Sequence, residues 1–474
     1  MILSRLQAMV LAFSLSLFAT QAIAESTPPL LPTGQVVDSV VCLHDPAQSY
    51  ALYLPKGYRS DRLWPVLYAF DPAARGRVPV VLFREAAERF GYVVVGSNNS
   101  RNGPAEPVFK AIEAAWIDTH DRFAVDPKRI YTTGMSGGTF PALTLGVQKA
   151  AGVIACAGAL DADRLGPNTT AVDWLGIAGS ADFNYTSNKV MAHTLAERGV
   201  VARFETFDGG HGWPPEDVAA RALEWLELSA MRKGTRPADT AFIDAYRERG
   251  VMRAGSAAKN GRFDDAAEEY AALARELHGL RNVDDLESEA RRLRETPEAK
   301  NDRKREAKLD EDDREETRRL FMLVRTLQSQ GALPPEKIHV SARHELGDRI
   351  QRLKRDRESA NADRRIVAGR VIDGFRVSAL YDGMEQLAKG RPTAARVALE
   401  FCVEAQPENA YSRYELARAH AALQDKIAAL AELRRAVAGG YRDRERILND
   451  PEWALLQRDP EYLALASEPQ PKPR

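Results

Sequence analysis

From residue 35 to about residue 231 the chain alternates short β-branched runs with amphipathic helical stretches, and beyond residue 233 it has no convincing strand. That switch constrains the fold more than any other feature. Parallel strands need a crossover long enough to hold a helix, so strands interleaved with helices specify a mostly parallel sheet. The patterns predict strands at 36–43, 49–54, 65–70, 92–97, 129–133, 152–157, 174–178 and 201–207. Helices are predicted at 78–90, 108–122, 139–150, 187–198 and 215–231. The first strands follow one another without helices, so that edge is expected to be antiparallel and the remainder parallel and doubly wound. The chain of 474 residues is too long for one ordinary core. An α/β domain over 35–231 is expected, followed by an all-α domain.

Composition excludes several classes. With 66 Lys and Arg against 67 Asp and Glu, the net charge is -1, which gives no general pull toward nucleic acid or anionic lipid. Three cysteines rule out a disulfide scaffold, and no Cys-x-x-Cys spacing offers a zinc site. Cys42 and Cys156 fall in apolar strand runs and Cys402 in a helix, so all three read as core residues. Residues 1–24 read as a signal peptide: Arg5, an apolar run from Ala8 to Ala19, then Ala22-Ile23-Ala24. The run is too short for a membrane anchor, and no cysteine follows to carry lipid. Export to the periplasm or medium is expected, with cleavage before Glu25 and residues 25–34 as a Pro-rich lead-in.

The C-terminal half divides into a linker at 232–246, a charged helical region at 247–379, and residues 380–474. Residues 281–320 are about two-thirds charged with both signs mixed, as in an exposed helix laced with i,i+4 pairs. Gly261-Arg262-Phe263 opens a stretch with Ala266 and Tyr270 that recurs loosely as Gly390-Arg391-Pro392 with Ala395, Leu399 and Cys402. A further copy contains Leu416, Ala417, Ala429, Leu433 and Ala436. These spacings resemble the tetratricopeptide repeat, which implies stacked helix pairs and a concave surface for a protein partner. The resemblance is good over 380–438 and looser over one helix pair at 247–275. Cys402 and His420 occupy core positions of that pattern, and the segment from Gly440 to Leu463 reads as a helical cap.

The chemistry centres on Gly134-Met135-Ser136-Gly137-Gly138, where a β run enters and a helix-capable stretch leaves. That context is a nucleophile elbow, in which glycines relieve crowding and expose the serine at the sheet top. A serine hydroxyl needs a base, and in this fold the acid and then the histidine follow at later strand ends. Asp182, in Gly179-Ser180-Ala181-Asp182, and His211, in Gly210-His211-Gly212-Trp213-Pro214, occupy those places. His193 lies in a helical run and His44 precedes the core. Asp161 is the alternative acid, one strand earlier, and Asp208 reads as a loop cap. An oxyanion hole needs two N–H donors. Gly137 supplies one, and the loop Phe70-Asp71-Pro72-Ala73 supplies the other from Asp71 or Ala73, since Pro72 has no N–H. The Asp71 carboxylate is expected to turn outward, toward Arg75. Phe183, Trp213 and Asn99 are pocket candidates.

At these residues the chain resembles the α/β-hydrolase superfamily, nearest its exported polyhydroxybutyrate depolymerases and feruloyl esterases, over 35–231. The resemblance rests on Val125-Asp126-Pro127-Lys128-Arg129-Ile130-Tyr131, the elbow, the Asp182 loop and the His211 loop. It implies a serine esterase with Ser136 as nucleophile, Asp182 as acid and His211 as base, acting on small or polymeric esters without cofactor or metal. Phe70-Asp71 stands where members carry His-Gly, which bears on the second donor and the substrate class. A prolyl-oligopeptidase-type peptidase and a non-catalytic repeat scaffold are the rival readings. The helical half is expected to bind a partner or cover the pocket without supplying a catalytic group, so that residues 25–235 alone hydrolyse short esters.

Overall fold

A computed structural model describes residues 31–159, 172–330 and 340–467. The expected signal peptide lies outside the described residues. Eight described strands form one sheet: β1 (Val36–Val41), β2 (Ser49–Tyr53), β3 (Trp64–Phe70), β4 (Val93–Ser97), β5 (Val125–Met135), β6 (Gly152–Cys156), β7 (Asp173–Gly179) and β8 (Ala202–Phe207). Their spatial order is β1-β2-β4-β3-β5-β6-β7-β8. The pairs β1–β2 and β2–β4 are antiparallel, and every pair from β4 to β8 is parallel. The β5 strand is longer than its sequence signal. A register shift between Trp64 and Val66 lets Val125 join the ladder ahead of Ile130. Asp126 and Arg129, paired at 2.6 Å, close the irregular stretch.

The strands carry apolar residues on both faces, as a sheet buried between two helical layers requires. Alternation along β6 sends Ile154 and Cys156 to one face and Val153 and Ala155 to the other. The first face is covered by α1 (Arg77–Phe90) and α5 (Glu216–Arg232). The second packs on α3 (Thr139–Lys149) and α4 (Tyr185–Glu197). Helix α2 (Ala105–Arg122) lies against β2 and β4.

The core of the sheet runs on past residue 232. The expected linker already contains the first turns of α6 (Thr240–Lys259), capped by the Asp239 side chain. Ile243 and Tyr246 of α6, Leu273 and Leu277 of α7 (Phe263–Leu277), and Leu286 of α8 (Asp284–Arg294) share one core with Trp225, Leu226 and the sheet. Buried Arg203 of β8 pairs with Glu269 at 2.5 Å and with Glu276 at 3.2 Å on α7. Glu276 also accepts from the Trp225 indole at 3.0 Å and the Tyr246 hydroxyl at 2.9 Å. Removing one partner of a buried ion pair leaves an uncompensated charge. A fragment ending near residue 235 therefore loses part of that core and leaves Arg203 without its two carboxylates.

The charged segment is helical: α8 and then α9 (Pro297–Gln330). It holds i,i+4 pairs such as Lys308–Asp312 at 2.7 Å, but also pairs to later helices. Glu316 joins Arg349 of α10 (Val340–Arg357) at 2.8 Å, and Arg305 joins Asp363 of α11 (Ala362–Ala388). Beyond lie α12 (Pro392–Ala405), α13 (Ala410–Ala422), α14 (Lys426–Ala438), α15 (Arg444–Asn449) and α16 (Pro460–Ser467). Ala395, Cys402, Ala417 and Ala429 are fully buried between these helices, and Trp453 fills the terminal core against Tyr414 and Tyr462. All three cysteines are free and buried. Among the described residues, no helix is long and apolar enough to cross a membrane.

Candidate active site

Ser136 follows the last residue of β5 and has φ +53°, a left-handed conformation that costs a non-glycine residue about 1–3 kcal/mol. The surrounding packing imposes it. A Cβ on Gly134 would sit 2.0 Å from the Gly138 carbonyl oxygen, and one on Gly138 would sit 2.1 Å from that of Phe70. Only glycine at both positions lets strand, turn and helix approach so closely. The hydroxyl is thereby held out at the C-terminal edge of the sheet, directly before α3.

Asp182 leaves β7 and His211 leaves β8, the two strands that follow β6 in the sheet. His211 Nε2 is 2.9 Å from Ser136 Oγ, and His211 Nδ1 is 2.9 Å from Asp182 Oδ1. The three side chains thus form one hydrogen-bonded chain. Asp182 is fully buried and its Oδ1 also accepts the Asn184 N–H at 2.8 Å, while Oδ2 has no partner among the described residues. In so enclosed a site the hydrogen bond between His211 and Asp182 is stronger than it would be in water. Phe183 stacks on the His211 ring with centroids 4.1 Å apart, fixing its plane. Asp208 is exposed, His44 pairs with Asp121 on the surface, and His193 is exposed on α4. Asp161 lies outside the described residues.

The loop after β3 differs from expectation. The Asp71 carboxylate does pair with Arg75, at 2.9 and 3.0 Å, but it is fully buried rather than turned outward. It also accepts the Ala73 N–H at 2.9 Å and the Trp213 indole N–H at 2.9 Å. Burial raises the Asp71 pKa, yet the bonds from Arg75, Trp213 and Ala73 outweigh it, and the carboxyl stays below its ordinary range. Because its N–H is taken, Ala73 is not a free donor, which leaves the Asp71 amide of the two expected. Asp71 also ties the β3 loop to the loop bearing His211, a role invisible without knowing that Trp213 turns toward it.

A cavity of about 360 Å³ opens beside Ser136 and Gly137, bounded by Asp71, Arg101, Asn102, Val108, Phe140, Pro141 and Tyr381. None of the three expected pocket residues bounds it. Asn99 instead holds the Ser49 N–H and the Ala47 carbonyl, and Trp213 packs on Phe83. Asn102 and Tyr381 were missed by sequence reasoning; no motif marks a tyrosine in a distant helix. A second cavity, about 570 Å³ between α4, β8 and α6–α8, is lined largely by paired charges such as Arg203, Glu269 and Arg253. Among the described residues no cluster of His, Cys, Asp or Glu is arranged to hold a metal ion.

Neither a protein-family model nor a curated protein matches the chain. Solved structures do. A fluorophosphonate-binding serine hydrolase of Staphylococcus aureus is 16% identical over 41% of this chain and 99% of its own, with a TM-score of 0.35. An esterase of Pyrobaculum calidifontis is 17% identical over 42% of this chain and 85% of its own, at 0.35. A ferulic acid esterase is 18% identical over 41% and 98%, at 0.34. The sheet order, its antiparallel edge and the strand–turn–helix at Ser136 define the architecture. The fold is that of an α/β hydrolase. These likenesses cover less than half of the chain, and both the fold and the chemistry are argued from its own strands and side chains.

Proposed function

We propose that the protein is a serine hydrolase that cleaves carboxylic esters through an acyl-enzyme. The single observation that supports this reading best is the unbroken chain Ser136 Oγ–His211–Asp182, with both hydrogen bonds at 2.9 Å. His211 takes the Ser136 proton as Oγ attacks the ester carbonyl, and Asp182 stabilises the resulting imidazolium. The oxyanion is received by the Gly137 N–H, with the Asp71 N–H as second donor. Collapse expels the alcohol, which leaves with the proton from His211. A water, deprotonated by the same imidazole, then releases the acid and restores Ser136. Residues 1–24 support export, and the stacked C-terminal helices support a repeat-like surface for a protein partner.

A fluorophosphonate probe on the purified full chain, with peptide mapping of the adduct, tests the assignment. Labelling is expected at Ser136. The Ser136→Ala protein is expected to lose labelling and at least about 10⁴-fold in kcat on p-nitrophenyl esters, with its melting temperature little changed. Near-wild-type turnover in that variant refutes the reading.

A further inference from the structure

Helix α11 crosses the site from the acid to the nucleophile. Near its start it lies on the loop that carries Asp182. A Cβ on Gly369 would be 3.1 Å from Ala181 Cβ, and one on Gly374 would be 3.0 Å from Phe183 Cβ. Between them Arg370, almost fully buried, donates to the Ser180 carbonyl at 3.0 Å and to Asp310 at 3.2 Å, with its guanidinium 4.0 Å over the Tyr185 ring. Residues 370, 374 and 381 share one helical face, and 370 to 381 spans about 16 Å at 1.5 Å per residue.

At the far end of that face, Tyr381 bounds the Ser136 cavity and its hydroxyl accepts a hydrogen bond from Asn102 Nδ2 at 2.6 Å. The opposite atom of the same amide, Oδ1, stands where a Cβ on Gly137 would come within 1.8 Å. The contact therefore joins two positions 279 residues apart and holds a side-chain amide against the residue that follows the nucleophile. Val108, Phe140 and Pro141 form an apolar stretch of the wall, beside the polar Asp71, Ser100 and Arg101.

We propose that Tyr381 is a specificity-determining residue of the hydrolase site, limiting the length of the acyl group that Ser136 accepts. This rests on the hydrolase reading of Ser136. The ring closes the apolar wall on the side of Gly137, where the acyl carbonyl is bound, so a long acyl chain meets it while an acetyl group does not. The hydroxyl acts separately, by fixing Asn102 beside the oxyanion donor. Tyr381 is half exposed, so its removal opens the cavity without emptying a core.

Full-length wild type, Tyr381→Ala and Tyr381→Phe are compared on p-nitrophenyl acetate, butyrate and octanoate, after a fluorophosphonate probe has counted active Ser136. For Tyr381→Ala, the ratio of octanoate to acetate kcat/KM is expected to rise about tenfold, the scale at which apolar pockets discriminate chain length. Tyr381→Phe keeps that ratio within about twofold of wild type but lowers kcat on acetate about fivefold at constant KM, the signature of a lost transition-state contact. An unchanged ratio in Tyr381→Ala together with an unchanged kcat in Tyr381→Phe overturns the proposal while leaving the labelled hydrolase intact. A wild-type protein that takes neither probe nor any ester overturns both readings.

Discussion

Between Val36 and Arg232 the molecule places the side chains of the candidate site by strand register; between Thr240 and Ser467 it does so by helix packing. Ser136, Asp182, His211 and Asp71 all leave the C-terminal ends of parallel strands, where neighbouring loops must converge because strands lie about 4.8 Å apart. Arg370 and Tyr381 reach the same site from one helix, which seats closely on the Asp182 loop at Gly369 and Gly374. Sheet topology makes proximity nearly automatic. In the helical region proximity depends on which face is buried, and the i,i+4 pattern leaves several faces open to choice.

The largest effect that tests this contrast is on the acid. Asp182→Asn is expected to lower kcat by roughly 10⁴-fold, since asparagine favours the wrong imidazole tautomer and cannot stabilise its cation. Asp161→Asn, one strand earlier, should leave kcat within about threefold, a shift of less than about 0.7 kcal/mol in the barrier. Steady-state kinetics on a short ester decides it, and the reverse ranking moves the acid to the loop after β6.

A smaller effect probes the helical side. Arg370→Ala removes the cation beside Asp310 and the donor to the Ser180 carbonyl. Truncating one member of a buried pair costs about 3 kcal/mol, so chemical denaturation should show a loss of that order. A loosened Ser180–Asp182 segment should also lower kcat about tenfold with KM little changed, and Arg370→Lys should recover part of it. If stability falls and kcat does not, α11 is a prop for the fold and not for the acid.

The smallest effect concerns pH. The Asp71 pKa is depressed in the folded protein, so its contribution to stability is full above the unfolded carboxyl value near 4 and is lost as pH falls below it. The melting-temperature advantage of wild type over Asp71→Asn should therefore be constant from about pH 5 upward and shrink below about pH 4. An advantage that persists at pH 3 would mean that the four bonds around Asp71 do not depend on its charge.

The eight described strands, the four helices between them and the helix after the last strand were legible because each has a period and a boundary of its own. The Lys233-Gly234-Thr235-Arg236-Pro237 break marks the change of secondary structure but does not show that the core continues beyond it. The apolar face of α5 continues into α6 and α7, and local patterns do not say what covers a face. Asp71 was misjudged for a related reason. A lone carboxylate before a proline looks solvent-directed until Trp213, 142 positions later, donates to it.

The sequence by itself determined the alternation that builds the sheet, the glycines that allow a strained Ser136, and the order of serine, acid and histidine along the chain. These are local properties, readable because backbone sterics and side-chain period act over a few residues. The tertiary structure alone decided that Asp71 locks the His211 loop, that Arg203 binds the helical half to the sheet, and that Tyr381 stands over Asn102 and Gly137. Each of those contacts joins residues scores to hundreds of positions apart. Their formation depends on how whole elements pack, and no short segment encodes that.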